Sequence, residues 1–422
     1  TNNITDIPAG SLPSNLTEIS FLKNPITTID PTAFDDSAKT LESLSFSEAL
    51  FTTIPDAILH LRALNSFSIY NTAIRDWNAA TLMNIGPTLE TLQFINVSLT
   101  AWPSWMQYFT HLTELSFQSN AITDVPNGSF DAVANILQIL DISKNGLTDT
   151  PKAVSNLNVL ESLDLSFNHI KDITFLPNST SLAQLTLMHN LISDANQLSK
   201  AVRPMGNTLA GVYIYANKLT QIPDLSFMSN LGDIDLSGNQ ISDPTSGSLP
   251  RILTYLELDN NSLPSIPQIL MTLPAVDSVV MSFNRVTNII ATEYPVWIEE
   301  LQLGYNLITE LTEESFHVNS SINTIDLMYN PIKKISDHAF DNLLQLKILN
   351  LQGTKLARLP LALGSLSLLN WLDITDDNDL VCTCMEKSLA PWILSRQTTI
   401  LASCGETDIY DFFEILSQSC PA

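Results

Sequence analysis

Along most of the chain the apolar positions follow one template, which reads L-x-x-L-x-L-x-x-N-x-L. The run Leu160-Glu161-Ser162-Leu163-Asp164-Leu165-Ser166-Phe167-Asn168-His169-Ile170 fills every position, as do the runs 231–241 and 253–263. With Ile, Val, Met or Phe allowed for Leu, copies begin at 16, 41, 64, 89, 112, 137, 160, 182, 209, 231, 253, 276, 298, 322, 346 and 369, at a mean spacing of about 23.5 residues. Within each copy a short stretch alternates, as in Leu163-Asp164-Leu165. Alternation of period two predicts a strand that turns its leucines to one face and Asp164 to the other. Strands are therefore expected at 19–21, 44–46, 67–69, 92–94, 115–117, 140–142 and 163–165, and onward at the same spacing.

After each strand the chain must turn, and an Asn stands there at 24, 120, 145, 168, 190, 217, 239, 261, 284, 306 and 330. Its side-chain amide can bond the backbone groups that a turn leaves unpaired, so stacked copies would align these residues into a ladder. Ala49, Thr72, Val97, Thr354 and Asp377 depart from it. Ala and Val cannot make such bonds, and looser turns are expected in the second and fourth copies. The return halves carry Ile54-Pro55, Trp102-Pro103, Val125-Pro126, Ile222-Pro223, Ile266-Pro267 and Leu359-Pro360, which suit an extended outer wall because Pro fixes φ and donates no hydrogen bond. Phe34, Phe130, Phe316 and Phe340 fall where they would plug the core from that side. The longest step, from 182 to 209, predicts an outer helix or loop around residues 196–205.

A period in the twenties with this consensus is the sequence sign of a leucine-rich-repeat solenoid, in which each copy buries its leucines only against its neighbours. The expected fold is an α/β solenoid, a horseshoe or arc with a parallel concave sheet of about sixteen repeats. Three parts are expected: an incomplete half repeat over 1–15, the solenoid over 16–377 and a disulfide-bonded cap over 378–422. Asn2 takes the ladder position one 22-residue period before Asn24, so the chain opens in mid-repeat without a cysteine-rich N-terminal cap. Either that uncovered edge recruits another chain, or the terminus was cut away or left out. With no initiator Met and no apolar leader, the chain reads as a processed product or an excised segment.

All four cysteines, Cys382, Cys384, Cys404 and Cys420, lie in the final tenth of the chain. Four cysteines allow three pairings, and bonding Cys382 to Cys384 along one extended segment is sterically poor. A C-x-C pair can also bind zinc, although neither a partnering His nor a second close pair accompanies this one. The segment Asn378-Asp379-Leu380-Val381-Cys382-Thr383-Cys384, followed by Trp392, Cys404 and Cys420, resembles the C-terminal cysteine cap of extracellular leucine-rich-repeat proteins. That resemblance implies Cys382–Cys404 and Cys384–Cys420 disulfides and a helix over roughly 386–395 covering the last leucine layer. The family pattern has Pro after the Asn, where this chain has Asp379.

Charge narrows the partners. Nineteen Lys and Arg against 44 Asp and Glu give a net charge of −25. Such a balance argues against nucleic acid, whose phosphates need cations, and against adsorption to an anionic membrane surface. No uninterrupted apolar run reaches the ~18–20 residues of a membrane span. Seven N-x-Ser/Thr acceptor sites, at Asn3, Asn15, Asn96, Asn127, Asn178, Asn260 and Asn319, together with cysteines that read as paired, point to the secretory route. Asn260, beside ladder residue Asn261 and close to the inner face, is the least favoured of the seven.

The outward strand positions would form the contact face. Serines come first (Ser20, Ser45, Ser68, Ser116), then acids (Asp141, Asp164, Asp235, Glu257, Asp326, Asp373). Aromatics gather in the ninth to fourteenth copies, and His189 is the one histidine placed on the inner face. Aromatics among carboxylates on a rigid wall suit a basic protein patch, or a glycan stacked on rings. The expected contact set is Tyr213, Tyr215, Asp235, Tyr255, Glu257, Phe283, Tyr305, Asp326 and Tyr329. There is no G-x-S-x-G, no H-E-x-x-H and no phosphate-cradling glycine loop, so neither an enzyme nor a cofactor or metal site is expected. The sequence thus reads as a secreted, glycosylated, non-enzymatic scaffold that recognises an extracellular protein or glycan through its concave face. The alternative is a structural subunit of an extracellular filament or sheath, assembled head to tail through the open N-terminal end.

Overall fold

The computed structural model describes residues 2–376, 380–395, 397–416 and 419–420. Asp377, the last departure from the Asn ladder, and the entry turn at Asn378 and Asp379 lie outside the described residues. The chain divides into two compact units, residues 1–193 with 197–214, and residues 194–196 with 215–422.

In the first unit, strands at Glu18–Phe21, Ser43–Ser47, Ser66–Tyr70, Thr91–Ile95, Glu114–Ser116, Ile139–Asp141, Ser162–Asp164, Gln184–Thr186 and Gly211–Tyr213 follow one another in a parallel sheet. Register runs straight across it: Ile19, Leu44, Phe67, Leu92, Leu115, Leu140, Leu163, Leu185 and Val212 pair in turn. All nine point inward and are buried. From Glu114 onward each strand ends a residue earlier than the alternation suggests. Leu165 belongs to the start of the turn, yet it is as fully buried as Leu163. The longest step holds the expected outer helix, Ala195–Val202.

The second unit repeats the arrangement with strands Asp233–Asp235, Tyr255–Glu257, Ser278–Val280, Glu300–Gln302, Thr324–Asp326, Ile348–Asn350, Trp371–Asp373 and Thr399–Leu401. Its inward row is Ile234, Leu256, Val279, Leu301, Ile325, Leu349, Leu372 and Ile400.

The Asn ladder supplies the bonds that stacked turns lack. Asn168 is buried; its amide group donates to the carbonyls of Leu165 (3.1 Å) and Ser166 (3.2 Å) in its own turn and of Ile142 (3.1 Å) one copy back. Its oxygen accepts from the amide of Leu147 at 3.0 Å, also one copy back. Asn145, Asn190, Asn261, Asn284, Asn306 and Asn330 do the same in their copies.

The looser turns expected at Ala49 and Val97 do not occur. The residues before them, Glu48 and Asn96, hold the same left-handed conformation (φ 58° and 54°) as the residue before Asn168 (Phe167, φ 52°). Backbone replaces the missing amide: the Ile74 N–H, which an Asn at 97 would receive, goes to the carbonyl of Val97 at 3.1 Å. Ala49 and Val97 in turn donate to the side chains of Thr72 (3.1 Å) and Asn120 (3.1 Å) of the following copy. The apolar side chains at these two positions are buried, which recovers part of what the lost hydrogen bonds contributed.

The outer wall also departs from the expected extended form. Pro55, Pro103, Pro267 and Pro360 are extended themselves, but each starts a 3-10 turn, at Asp56–His60, Ser104–Tyr108, Gln268–Thr272 and Leu361–Ser365. The Pro carbonyl accepts the first bond of each turn, for example from Ile58 at 3.2 Å. A residue that lacks a donor suits this place because the first N–H of a helical turn has no partner anyway. Phe34, Phe130, Phe316 and Phe340 are buried beneath this wall.

At the C-terminal end Cys382 is bonded to Cys404 and Cys384 to Cys420, so neither thiol of the C-x-C pair is left to hold zinc. The expected helix begins earlier and in two parts, a 3-10 turn at Cys384–Leu389 and a short α-helix at Ala390–Leu394. Thr383 and Glu386 form a capping box that fixes this start, with the Thr383 N–H donating to Glu386 Oε2 at 2.8 Å. Glu386 is buried, and the Arg358 guanidinium reaches it from the preceding copy, with Nε donating to Oε1 at 2.6 Å. This segment also contributes Thr399–Leu401, which adds to Trp371–Asp373 and continues the parallel sheet.

Two outcomes test this packing. Leu165→Ala should cost roughly 2–5 kcal/mol of unfolding free energy, as for a buried leucine in a close-packed core. Asn168→Ala, which strands one buried amide and several carbonyls, should cost about 2–3 kcal/mol. Denaturant titration measures both, and an unchanged midpoint for either would mean that the layer is not held as described. Reduction of the two disulfides should first speed amide exchange in residues 380–420, before the strands that precede them, because a disulfide acts largely by restricting the loop it closes.

Candidate functional site

The third residue of each strand points to the exposed face of the sheet, and register sets these residues side by side. In the first unit the row runs Ser20, Ser45, Ser68, Gln93, Ser116, Asp141, Asp164, Thr186, Tyr213. Neighbours bond along it, with Ser45 donating to Ser20 at 2.8 Å and Ser116 to Asp141 at 3.2 Å. Tyr213 ends the row, exposed, its ring lying over Gly211.

In the second unit the row is Asp235, Glu257, Val280, Gln302, Asp326, Asn350, Asp373, Leu401. The aspartates have a second duty. Asp235, Asp326 and Asp373 each accept the backbone N–H two residues on, from Ser237 (2.8 Å), Met328 (2.9 Å) and Thr375 (2.8 Å). Asp141 and Asp164 do likewise in the first unit. A short carboxylate can hold its own turn in this way, and the residue type at this position is partly explained by that alone. Glu257 is longer and accepts instead from the Tyr255 hydroxyl at 3.1 Å.

Asp259, which the sequence pattern did not single out, completes an acidic cluster with Asp235 and Glu257. It accepts from the Ser282 N–H of the next copy at 2.5 Å. Burial pushes its carboxyl up to about 6, with the charges of Glu257 and Asp235 adding to the effect and the Ser282 bond opposing it. Burial raises Glu257 as well, followed by the charge of Asp235. The Tyr255 hydroxyl is pushed up to about 12, by burial first and by Glu257 second. Burial also lifts Asp326 against the bonds that it accepts.

Phe283, Tyr305 and Tyr329 are not strand residues. Each occupies the left-handed position of the turn, just before the ladder Asn, with φ of 56°, 54° and 51°. Stacked copies therefore line them along the edge of the sheet. Their rings stack face to face, at 4.2 Å between Phe283 and Tyr305 and 4.7 Å between Tyr305 and Tyr329. Phe283 is 48% exposed and Tyr305 38%. Gly353 holds the next place in this row, where a Cβ would collide with the Tyr329 ring. Beyond it, Asp376 accepts from the Tyr329 hydroxyl at 3.2 Å and from Gln352 at 2.6 Å. His189 likewise sits in the turn row, stacked on Phe167 at 4.3 Å, rather than on the strand face. Tyr215 follows its strand and is half-buried.

The second unit thus brings together Asp235, Tyr255, Glu257 and Asp259 on the strand face and, separately, Phe283, Tyr305 and Tyr329 along the edge. Among the described residues, no three His, Cys, Asp or Glu side chains are grouped to hold a metal ion, and no helix is long and apolar enough to cross a membrane.

The acidic cluster makes stability depend on pH in a defined direction. The folded-state value of Asp259 lies above its unfolded one, so its contribution is fully present below about pH 4 and is lost as pH rises through about 6. Asp259→Asn keeps an acceptor for Ser282 and removes the charge. It should melt higher than the parent at pH 7.5 and equal to it near pH 4 by calorimetry. A constant difference across that window would show that Asp259 ionises normally.

Comparison with known proteins gives a consistent picture. A leucine rich repeat family model matches residues 110–170 and 320–380, and one for the BspA type leucine rich repeat region matches residues 2–105. Rat (Rattus norvegicus) lumican is 29% identical over 189 residues, 44% of this chain and 47% of lumican. Bovine (Bos taurus) lumican is 26% identical over 216 residues, 45% of this chain and 62% of that protein. The chain thus covers less than two thirds of the length of these relatives. Among solved structures, a Leptospira interrogans leucine-rich-repeat protein superposes with a TM-score of 0.63 at 21% identity, covering 92% of this chain and 90% of that one.

Proposed function

The chain belongs to the leucine-rich-repeat family, and from that premise we propose that it is a secreted, glycosylated, non-enzymatic scaffold that binds another extracellular protein. The contact surface in this reading is the exposed face and edge of the parallel sheet in the second unit, formed by Tyr215, Asp235, Tyr255, Glu257, Phe283, Tyr305, Asp326 and Tyr329, with Tyr213 as a contact in the first unit. The observation that carries it is the pairing of carboxylates whose ionisation is opposed by burial with exposed, pre-stacked rings. A partner that brings cations relieves the first and buries the second. The rings are already stacked before binding, so contact requires little further ordering of them.

The secretory part of the reading rests on two disulfides and seven acceptor sites. All seven acceptor residues, Asn3, Asn15, Asn96, Asn127, Asn178, Asn260 and Asn319, are exposed, including Asn260, which its neighbour in the ladder had placed in doubt. Residues 378–422 serve as the cap that closes the solenoid over 16–377.

An arginine- and lysine-rich peptide is the direct probe. It should bind the intact protein with an affinity that falls as salt rises, since exposed charges are screened. The combined substitutions Tyr305→Ser and Tyr329→Ser should weaken binding about tenfold, the effect of losing a contact worth roughly 1.4 kcal/mol. Calorimetric titration reads both. Unchanged affinity in that variant would move the contact surface elsewhere on the chain.

A further inference from the structure

The left-handed row at the edge of the sheet varies in side chain from copy to copy, and its order in the second unit has a consequence for Asn260. The row there runs Ala216, Gly238, Asn260, Phe283, Tyr305, Tyr329, Gly353 and Asp376, all with positive φ. Backbone bonds keep successive members beside one another: Asn260 donates to the Ser282 carbonyl (3.0 Å), Phe283 to Gly304 (2.9 Å), Tyr305 to Met328 (2.8 Å) and Tyr329 to Gln352 (2.7 Å). Because the three rings are stacked, their facing surfaces are already covered. The far side of Tyr329 is closed by Gly353. The face that remains is that of Phe283 on the side of Asn260.

The first unit shows how the chain treats the same situation. There Phe167 and His189 form the stack, and the residue one place earlier, Lys144, sets its ammonium 5.6 Å from the centre of the Phe167 ring. There the row position that precedes the stack supplies its cover. Asn260 holds that position in the second unit, with a shorter, uncharged side chain in place of the lysine. It does, however, open the acceptor sequence Asn260-Asn261-Ser262, and it is exposed.

We propose that Asn260 carries an N-linked glycan whose first N-acetylglucosamine lies over the open face of Phe283 and caps the aromatic stack. This rests on the reading of the chain as a secreted glycoprotein. The bond formed joins Asn260 Nδ2 to the anomeric carbon of the sugar. The bond broken is that carbon's link to a lipid diphosphate carrier, which leaves with the proton from Nδ2. In the folded chain Asn261 is buried in the ladder and the Ser262 N–H is held by Ile241 at 2.8 Å, so transfer precedes the folding of this copy. A β-linked pyranose presents axial C–H groups on one face, apolar and weakly positive, which complements the negative face of an aromatic ring. It also brings no charge to the neighbourhood of Asp259. The glycan then forms one border of the proposed partner surface.

The test uses the whole chain expressed in cells that glycosylate. Peptide mapping should find Asn260 occupied. Ser262→Ala, which removes the acceptor sequence and keeps Asn260, should lower the melting temperature by about 1 °C, the size expected for loss of about one kcal/mol in a chain of 422 residues. In a Phe283→Ala background the same substitution should change nothing, and enzymatic trimming of the parent to a single sugar should leave its melting temperature in place. Asn260→Gln supplies the same comparison if Ser262→Ala does not fold. Asn260 bare while other acceptor sites are occupied overturns this inference alone. A drop of equal size with and without Phe283 also overturns it. Seven bare sites would overturn the secreted-glycoprotein reading together with it.

Discussion

No copy of this repeat can complete its own hydrogen bonds. The buried amide and carbonyls around each ladder Asn find partners one copy away, and each inward leucine is covered by the leucines on either side. Stability is therefore a property of neighbouring pairs, and a departure at one position is absorbed by the next copy. Val97 shows how: it has no amide to offer, so its carbonyl takes the bond while Asn120 serves its N–H. At the C-terminal end the same requirement is met by another route. Thr399–Leu401 pairs with the last repeat strand, and Arg358 clamps the buried Glu386 across the junction.

The turn that the ladder enforces also decides where the aromatic side chains of the sheet edge go. Its residue before the Asn is held at positive φ in copy after copy, a conformation that costs a non-glycine residue energy and is tolerated because stacked neighbours over-determine it. Phe283, Tyr305 and Tyr329 accept that conformation, and the result is a ring stack along the sheet edge. Asp235, Asp326 and Asp373 show the converse. Their carboxylates face the exposed side, but one oxygen of each is committed to the turn. Glu257, whose length frees it from that duty, is bonded instead to the Tyr255 hydroxyl.

The repeat, its strands, the inward leucines, the outer helix near Asn196 and the buried Phe34, Phe130, Phe316 and Phe340 were all legible in the residues, because periodicity reports directly which positions must be buried. The cysteine pairing came from resemblance to a known cap and agrees with the bonds in the structure. Less legible were the features for which spacing carries no signal. Whether a Pro-bearing wall stays extended or coils into a 3-10 turn depends on how its carbonyls are used, and the pattern of apolar residues is the same in both cases.

The sequence by itself determined the fold, since a template repeated this often leaves one way to bury its leucines. It also determined the acidic character of the exposed face, with Asp141, Asp164, Asp235, Glu257, Asp326 and Asp373 at its outward positions. Only the tertiary structure decided which of those groups meet. Asp259 joins Asp235 and Glu257 because register sets adjacent copies side by side, although 24 residues separate the first from the last. Gly353 matters because the Tyr329 ring folds over it, and nothing in its own copy announces that. Phe283, Tyr305 and Tyr329 moved from the strand face to the edge because backbone conformation at the turn, rather than alternation along the strand, sets their direction.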